Sequence, residues 1–146
     1  MAQPGYEGKL YVNTGSFGSP TWTEIDIAVD ASMDSGHNRI DASSRKGGGH
    51  KEEIAGLTTK TLTFQILKEK SDAQFETLRD AHEDRTTVDM AFADGSIATS
   101  GTEYTRFEGL IFSWNEAQPL DDKMAIDVEI GPTPNANAAP TFNETA

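Results

Sequence analysis

LTTKTLTFQILKEKSDAQFETLRDAHEDRTTVDMAFADG, residues 57–95, holds one strand, one helix and a second strand in direct succession. From Thr58 to Glu69 the side chains alternate: Leu62, Phe64 and Ile66 point one way, and Thr59, Thr61, Thr63 and Gln65 the other. That period of two marks a half-buried strand with β-branched threonines on its wetter face. At Ser71 the period changes. Ser71 with Gln74 fits a capping box, and Phe75, Leu78 and Ala81 then recur at helical spacing, so a helix is expected over about 71–83. Phe75 and Leu78 would anchor it to the sheet. Alternation resumes at Val88, Met90 and Phe92, and Asp94-Gly95 reads as a tight hairpin turn.

The flanks are β-like as well. Leu10 and Val12 suggest a short first strand, and Trp22 to Val29 alternates with Ile25, Ile27 and Val29 inward and Glu24 and Asp26 outward. Asp30, Ser32, Asp34 and Gly36 only faintly suggest a calcium loop: the glycine falls one place late and no glutamate closes the site. Residues 38–44 and 51–55 can pair as strands around Ser43-Ser-Arg-Lys-Gly-Gly-Gly-His50. The glycines give this loop large backbone entropy, and Arg39, Arg45, Lys46 and Lys51 place four of the 12 basic residues beside it. It is not a phosphate-binding P-loop, because Glu52-Glu53 follows where Gly-Lys-Ser/Thr is required. Two readings stay open for residues 43–53: a flexible hairpin tip, or a mobile basic arm that orders against an acidic partner.

Tyr104 to Glu116 carries Leu110, Phe112 and Trp114 on one face and Phe107 and Ile111 on the other, implying burial on both sides, with a bulge expected at Gly109. Met124, Ile126, Val128 and Ile130 alternate with Asp127 and Glu129, which must then face away from the core. Residues 1–131 read as one mainly β domain, and 132–146 (PTPNANAAPTFNETA) as an extended tail.

Composition narrows the chemistry. The chain has 146 residues, 24 acids against 12 bases, and a net charge of −12, so it lacks the basic excess of a nucleic-acid binder. It contains no cysteine, which rules out thiol catalysis and Cys-based zinc sites. His37, His50 and His82 are scattered and share no metal-ligand spacing, and no nucleophile elbow or dinucleotide fingerprint is present. Neither catalysis nor a cofactor is expected. No apolar run approaches the roughly 20 residues of a membrane span, and MAQPGYEGK lacks the apolar core of a signal peptide, so a soluble protein made in the cytoplasm is expected. Asn143-Glu-Thr145, without such a signal, reads as a chance glycosylation motif.

The order of segments carries a resemblance. Arg39-Ile-Asp-Ala-Ser-Ser44, the glycine-rich loop, Gly56-Leu57 with its alternating strand, and the helix with Phe75-Glu-Thr-Leu-Arg79 follow one another. Val88-Asp-Met-Ala-Phe92-Ala-Asp-Gly95, Phe107-Glu-Gly-Leu-Ile-Phe-Ser113, Gln118-Pro-Leu-Asp121 and Ala125-Ile-Asp-Val-Glu-Ile-Gly-Pro132 complete the set. Over about residues 8–132 this resembles the major tail tube proteins of long-tailed, non-contractile bacteriophages, prophages and gene transfer agents. The resemblance implies a β-sandwich or barrel flanked by one helix, assembled as hexameric rings stacked into a hollow tube through which DNA passes without specific binding. It implies a virion protein assembled in the host bacterial cytoplasm, with tail tip or baseplate, tape measure and tail terminator proteins as partners, and with no membrane insertion of its own. The loop Arg45, Lys46, Gly47, Gly48, Gly49, His50 and Lys51 would contact other subunits or rings. Asp127 and Glu129, with Asp26 and Asp89 in reserve, would face the lumen, where an acidic wall offers no phosphate sticking sites. Two alternatives remain: a tube of a secretion or contractile injection system, or a monomeric β-sandwich that binds a small ligand or carbohydrate.

Overall fold

A computed structural model of the protein describes residues 2–134 and 140–145. Its strands are β1 (Lys9–Asn13), β2 (Trp22–Glu24), β3 (Ala28–Asp41), β4 (Glu53–Leu67), β5 (Thr87–Ala93), β6 (Glu103–Ala117), β7 (Ala125–Gly131) and β8 (Thr141–Glu144). One helix, α1 (Ala73–Asp84), interrupts them. All strand pairings are antiparallel, in the order β2-β1-β5-β6-β7-β4-β3, with β8 added to the first residues of β6.

The expected mainly β fold flanked by one helix is present, and its sheet is open rather than closed into a barrel; β6 shows how the halves are joined. Its residues 104–110 pair with β5 while 110–117 pair with β7, so a single long strand serves both halves and no break separates two sheets. The sheet curls until both halves share a core: Leu10 and Val12 of β1, Leu62, Phe64 and Ile66 of β4, Met90, Phe107, and Ile126, Val128 and Ile130 of β7 form one buried cluster. The two sheet edges, β2 and β3, are joined by residues 25–27. There Ile25 N–H donates to Leu10 O at 2.8 Å and Leu67 N–H donates to Ile27 O at 3.0 Å. Ile25 and Ile27 are therefore buried outside any strand, and Val29, expected inward, is exposed.

The helix caps itself differently from expectation. Asp72, not Ser71, is the N-cap, and its Oδ1 accepts from Phe75 N at 3.0 Å. A carboxylate is the stronger acceptor at the positive end of the helix dipole. The C-cap is Arg85 in the left-handed region, φ 59°. Phe75, Leu78 and Ala81 are buried in the sheet's core, while His82 and Phe75 flank the Trp114 ring at 5.8 and 6.0 Å between centroids.

Other expectations shift for local reasons. The bulge in β6 falls at Phe112, between the Ile111–Ile130 and Ser113–Glu129 pairs, not at Gly109. It reverses the alternation, so Trp114 joins Ile111 on the core side and Phe112 is left exposed. Gly109 serves close packing instead: a Cβ there would lie 2.3 Å from Gly131 O and 2.8 Å from the Phe107 ring. Met124 precedes β7 and is exposed. Asp94-Gly95 opens a connection running to Thr102 rather than a two-residue turn. Asp30–Gly36 lies within β3 and forms no loop. Within the tail, residues 141–144 pair with β6 as β8; residues 135–139 and 146 lie outside the described residues.

The sheet half made of β1, β5 and the start of β6 has a covered outer face. Tyr11, Ala91 and Ala93 pack there beneath Trp22, Ile97 and Tyr104. Arg106 fastens the 13–21 loop onto it: Nε donates to both Asp89 oxygens at 3.0 and 3.1 Å, and Nη2 donates to Phe17 O at 2.7 Å. The guanidinium also lies 3.9 Å from the centroid of the Phe17 ring. Asn13 ties the same loop, accepting from Gly15 N and Thr21 N and donating to Asp89 Oδ2. Arg106→Met is expected to cost about 2–3 kcal/mol in urea unfolding, because it strands the Asp89 charge in a site where little water can replace the guanidinium.

Candidate functional site

The longest exposed feature is a hairpin arm. β3 and β4 pair from Ala28–Ile66 out to Asp41–Glu53. Only the inner part is packed: Met33 and Leu62, directly opposite, are the last pair to touch the core. Beyond them β3 continues for residues 34–41, about 26 Å at strand rise, exposed on both faces. A bulge in β4, between the His37–Thr58 and Arg39–Ala55 pairs, changes which side chains share a face. Ile40 and Ile54 stand directly opposite each other, 49% and 56% exposed, with Leu57 78% exposed beside them. β3 is also the sheet's terminal strand, so its outer edge is bare along the whole arm.

The arm ends in a formed turn. Ser43 Oγ bonds both Glu52 N and Glu52 O, and Ala42 N–H donates to Glu52 O at 2.9 Å. Within this clasp, Arg45–Gly47 makes one 3-10 turn, followed by Gly48 and Gly49 at φ 63° and 89°, a conformation that favours glycine. Glu53 holds two of the clustered bases, Lys51 at 3.1 Å and Arg39 at 3.6 Å. Arg45 and Lys46 make no ion pair among the described residues, and both are exposed beside His50.

The second feature is the outer face of β3, β4, β7 and the end of β6. Asp127 and Glu129 are exposed on it, opposite Gln65 and Thr63 in register; Gln65 Nε2 donates to Asp127 Oδ1 at 3.1 Å. Ser113 and Asn115 extend the face on one side, and Asp34, paired with Thr61, on the other. No basic side chain stands among these residues. At the rim, Lys68 and then the Trp114 indole hold the Glu116 carboxyl below its usual range by hydrogen bonding.

The lumen candidates thus part company. Asp127 and Glu129 share one bare face, whereas Asp26 is exposed in the 25–27 link between sheet edges. Asp89 is corrected: its side chain is 10% exposed and tied to Arg106 under the 13–21 loop, so it offers no free wall charge. Asp34 joins this face without having been expected there, because residues 30–37 carry only Met33 as a large apolar side chain to mark a strand. Phe75 and Leu78 are 1% and 0% exposed. Among the described residues no group of three His, Asp or Glu side chains is placed to hold a metal ion, and no helix is long and apolar enough to cross a membrane.

No protein-family model and no curated protein sequence matches the chain. Solved structures do. The tail of an empty gene transfer agent particle, refined with helical C6 symmetry, superposes with a TM-score of 0.76 at 16% identity, covering 97% of this chain and 99% of that one. The SPP1 tail tube gives 0.76 at 9% identity, covering 98% of this chain and 80% of that one. This is the tail-tube fold. The sheath/tube terminator of an extracellular contractile injection system also matches, with a TM-score of 0.65 at 9% identity over 98% and 97% of the two chains. In each case the likeness covers 97% or 98% of this chain.

Proposed function

We propose that the protein is a structural subunit of a non-contractile tail tube, polymerising as stacked hexameric rings around a channel for DNA. The observation that carries this reading is the division of the sheet's outer surface. One half is roofed by the 13–21 and 94–102 loops, while the β3-β4-β7 half is bare, acidic and continuous with an arm exposed on both faces. A monomer gains nothing from such an arm. In a ring, the bare β3 edge meets a neighbour's sheet and the unroofed face turns to the channel, where acids repel phosphate. The protein then resides in the virion tail, and tail tip, tape measure and terminator proteins are its further partners. A contractile or secretion tube is the second reading, favoured by the two injection-system structures among the matches; their TM-scores of 0.65 and 0.63 fall below the 0.76, 0.73 and 0.76 of the gene transfer agent and SPP1 structures.

Electron microscopy of the concentrated protein tests the assembly: tubes with an open lumen are expected, and a monodisperse monomer under all conditions would refute it. Hydrogen exchange supplies a finer check. Amides of residues 43–51 should exchange fast in soluble protein, since few of them are bonded beyond the Ser43–Glu52 clasp, and should slow in tubes. Equal rates in both states would count against an assembly role for the tip.

A further inference from the structure

Strand direction sets the two ends of the molecule apart. In an all-antiparallel sheet of this order β3, β5 and β7 run one way and β4 runs the other. The arm tip lies where β3 ends and β4 begins. α1 follows the end of β4 and leads into the start of β5, so it lies at the opposite end. The charges are divided in the same way. The tip carries Arg45 and Lys46 without ion pairs among the described residues; Arg39 and Lys51 share Glu53, and with Asp41 and Glu52 the segment 39–53 is left one unit positive. The helix and its caps carry Asp72, Glu76, Asp80, Glu83 and Asp84 against Arg79 and Arg85. Asp80 and Asp84, both exposed, line a cleft of about 480 Å³ between α1 and the 13–21 loop, together with Thr77, Gly15, Asp89 and Glu108. Asp80 has one weak partner, Arg79 at 3.7 Å, and Asp84 has none among the described residues.

We infer that the arm tip docks on a second copy of this chain, with Arg45 and Lys46 seated against Asp80 and Asp84 at the α1 cleft. The inference rests on the tube reading and gives it a direction. A basic knob at one end and an acidic socket at the other make a heterologous contact, which propagates head to tail instead of closing a dimer. The exposed arm, about 26 Å beyond the core, supplies the reach, and the glycines give a slender tip. Pairing also removes two of the few unpartnered positive groups that a passing polyanion could hold.

The absence of cysteine makes the contact easy to trap. Tubes grown from a mixture of Lys46→Cys and Asp84→Cys chains should yield an interchain disulfide on oxidation, and mixtures of Lys46→Cys with Asp127→Cys should not. Arg45→Glu with Lys46→Glu should raise the concentration needed for tube growth about ten-fold or more, and adding Asp80→Lys with Asp84→Lys should restore it. Normal tubes from the Lys46→Cys and Asp84→Cys mixture that give no 46–84 disulfide, or a charge swap that stays as defective as the tip variant, would overturn the docking and leave the tube reading standing. Wild-type protein that never forms tubes would overturn both. All four positions are exposed, so circular dichroism of each variant should match wild type.

Discussion

Phe75→Ala is expected to lower the stability of the monomer by about 3–5 kcal/mol, a large part of what a domain of this size holds. The ring is 1% exposed and lies where α1 meets the sheet, 6.0 Å from the Trp114 ring, with the Arg79 guanidinium 5.5 Å from its centroid on the solvent side. Removing it leaves a cavity that cannot collapse easily. Trp114 is held from the far side by His82, and Leu78, one turn on, is already fully buried. The substitution spares the cap, because Asp72 bonds the backbone N–H at position 75 and not the side chain. The loss should therefore appear as a lower urea midpoint with an unchanged slope. A loss below about 1 kcal/mol would show that the helix is held by other contacts.

Where one period of alternation runs unbroken, the sequence is a sound guide. Leu62, Phe64 and Ile66, and likewise Ile126, Val128 and Ile130, sit in the core as their spacing requires. The reading fails where pairing geometry overrides it. One extra residue at Phe112 moves Trp114 to the opposite face from that expected, and nothing in Ile111-Phe-Ser-Trp114 announces the bulge. The β4 bulge near Gly56 likewise changes which side chains share a face, so that Ile40 and Ile54 stand opposite each other in the outer part of the arm. Asp89 shows a different limit. Alternation correctly puts it on the side away from the core, but cannot tell that a loop anchored by Asn13 and Arg106 will cover that side. The bare acidic face was legible in part, through Asp127 and Glu129 on a clean strand. The clasp that shapes the arm tip was not, because Ser43 meets Glu52 only once the hairpin register is set.

Asp127→Lys combined with Glu129→Lys should leave folding almost untouched and slow DNA release strongly. Both side chains are exposed, and their one side-chain tie among the described residues, Gln65 to Asp127, is a surface hydrogen bond, so a stability change within about 1 kcal/mol is expected. The charge moves by two units at each position, on a face that carries no base of its own. If that face lines the channel, every ring gains a belt of ammonium groups directed at a polymer with about one negative charge per 1.7 Å of axis. Each phosphate contact releases counterions, so retention should be greatest in dilute salt and relax as salt rises; with 6–10 contacts the affinity changes by about 10³–10⁵ between 50 and 200 mM. The measurement is the time course of DNA release from particles built with the variant, at two salt concentrations, after microscopy has shown normal tubes. Slow release that recovers in high salt places Asp127 and Glu129 on the channel wall. Release at the wild-type rate in dilute salt, from normal tubes, would put this face on the outside of the tube, because lysines repeated along the whole path could not go unnoticed by the DNA moving past them.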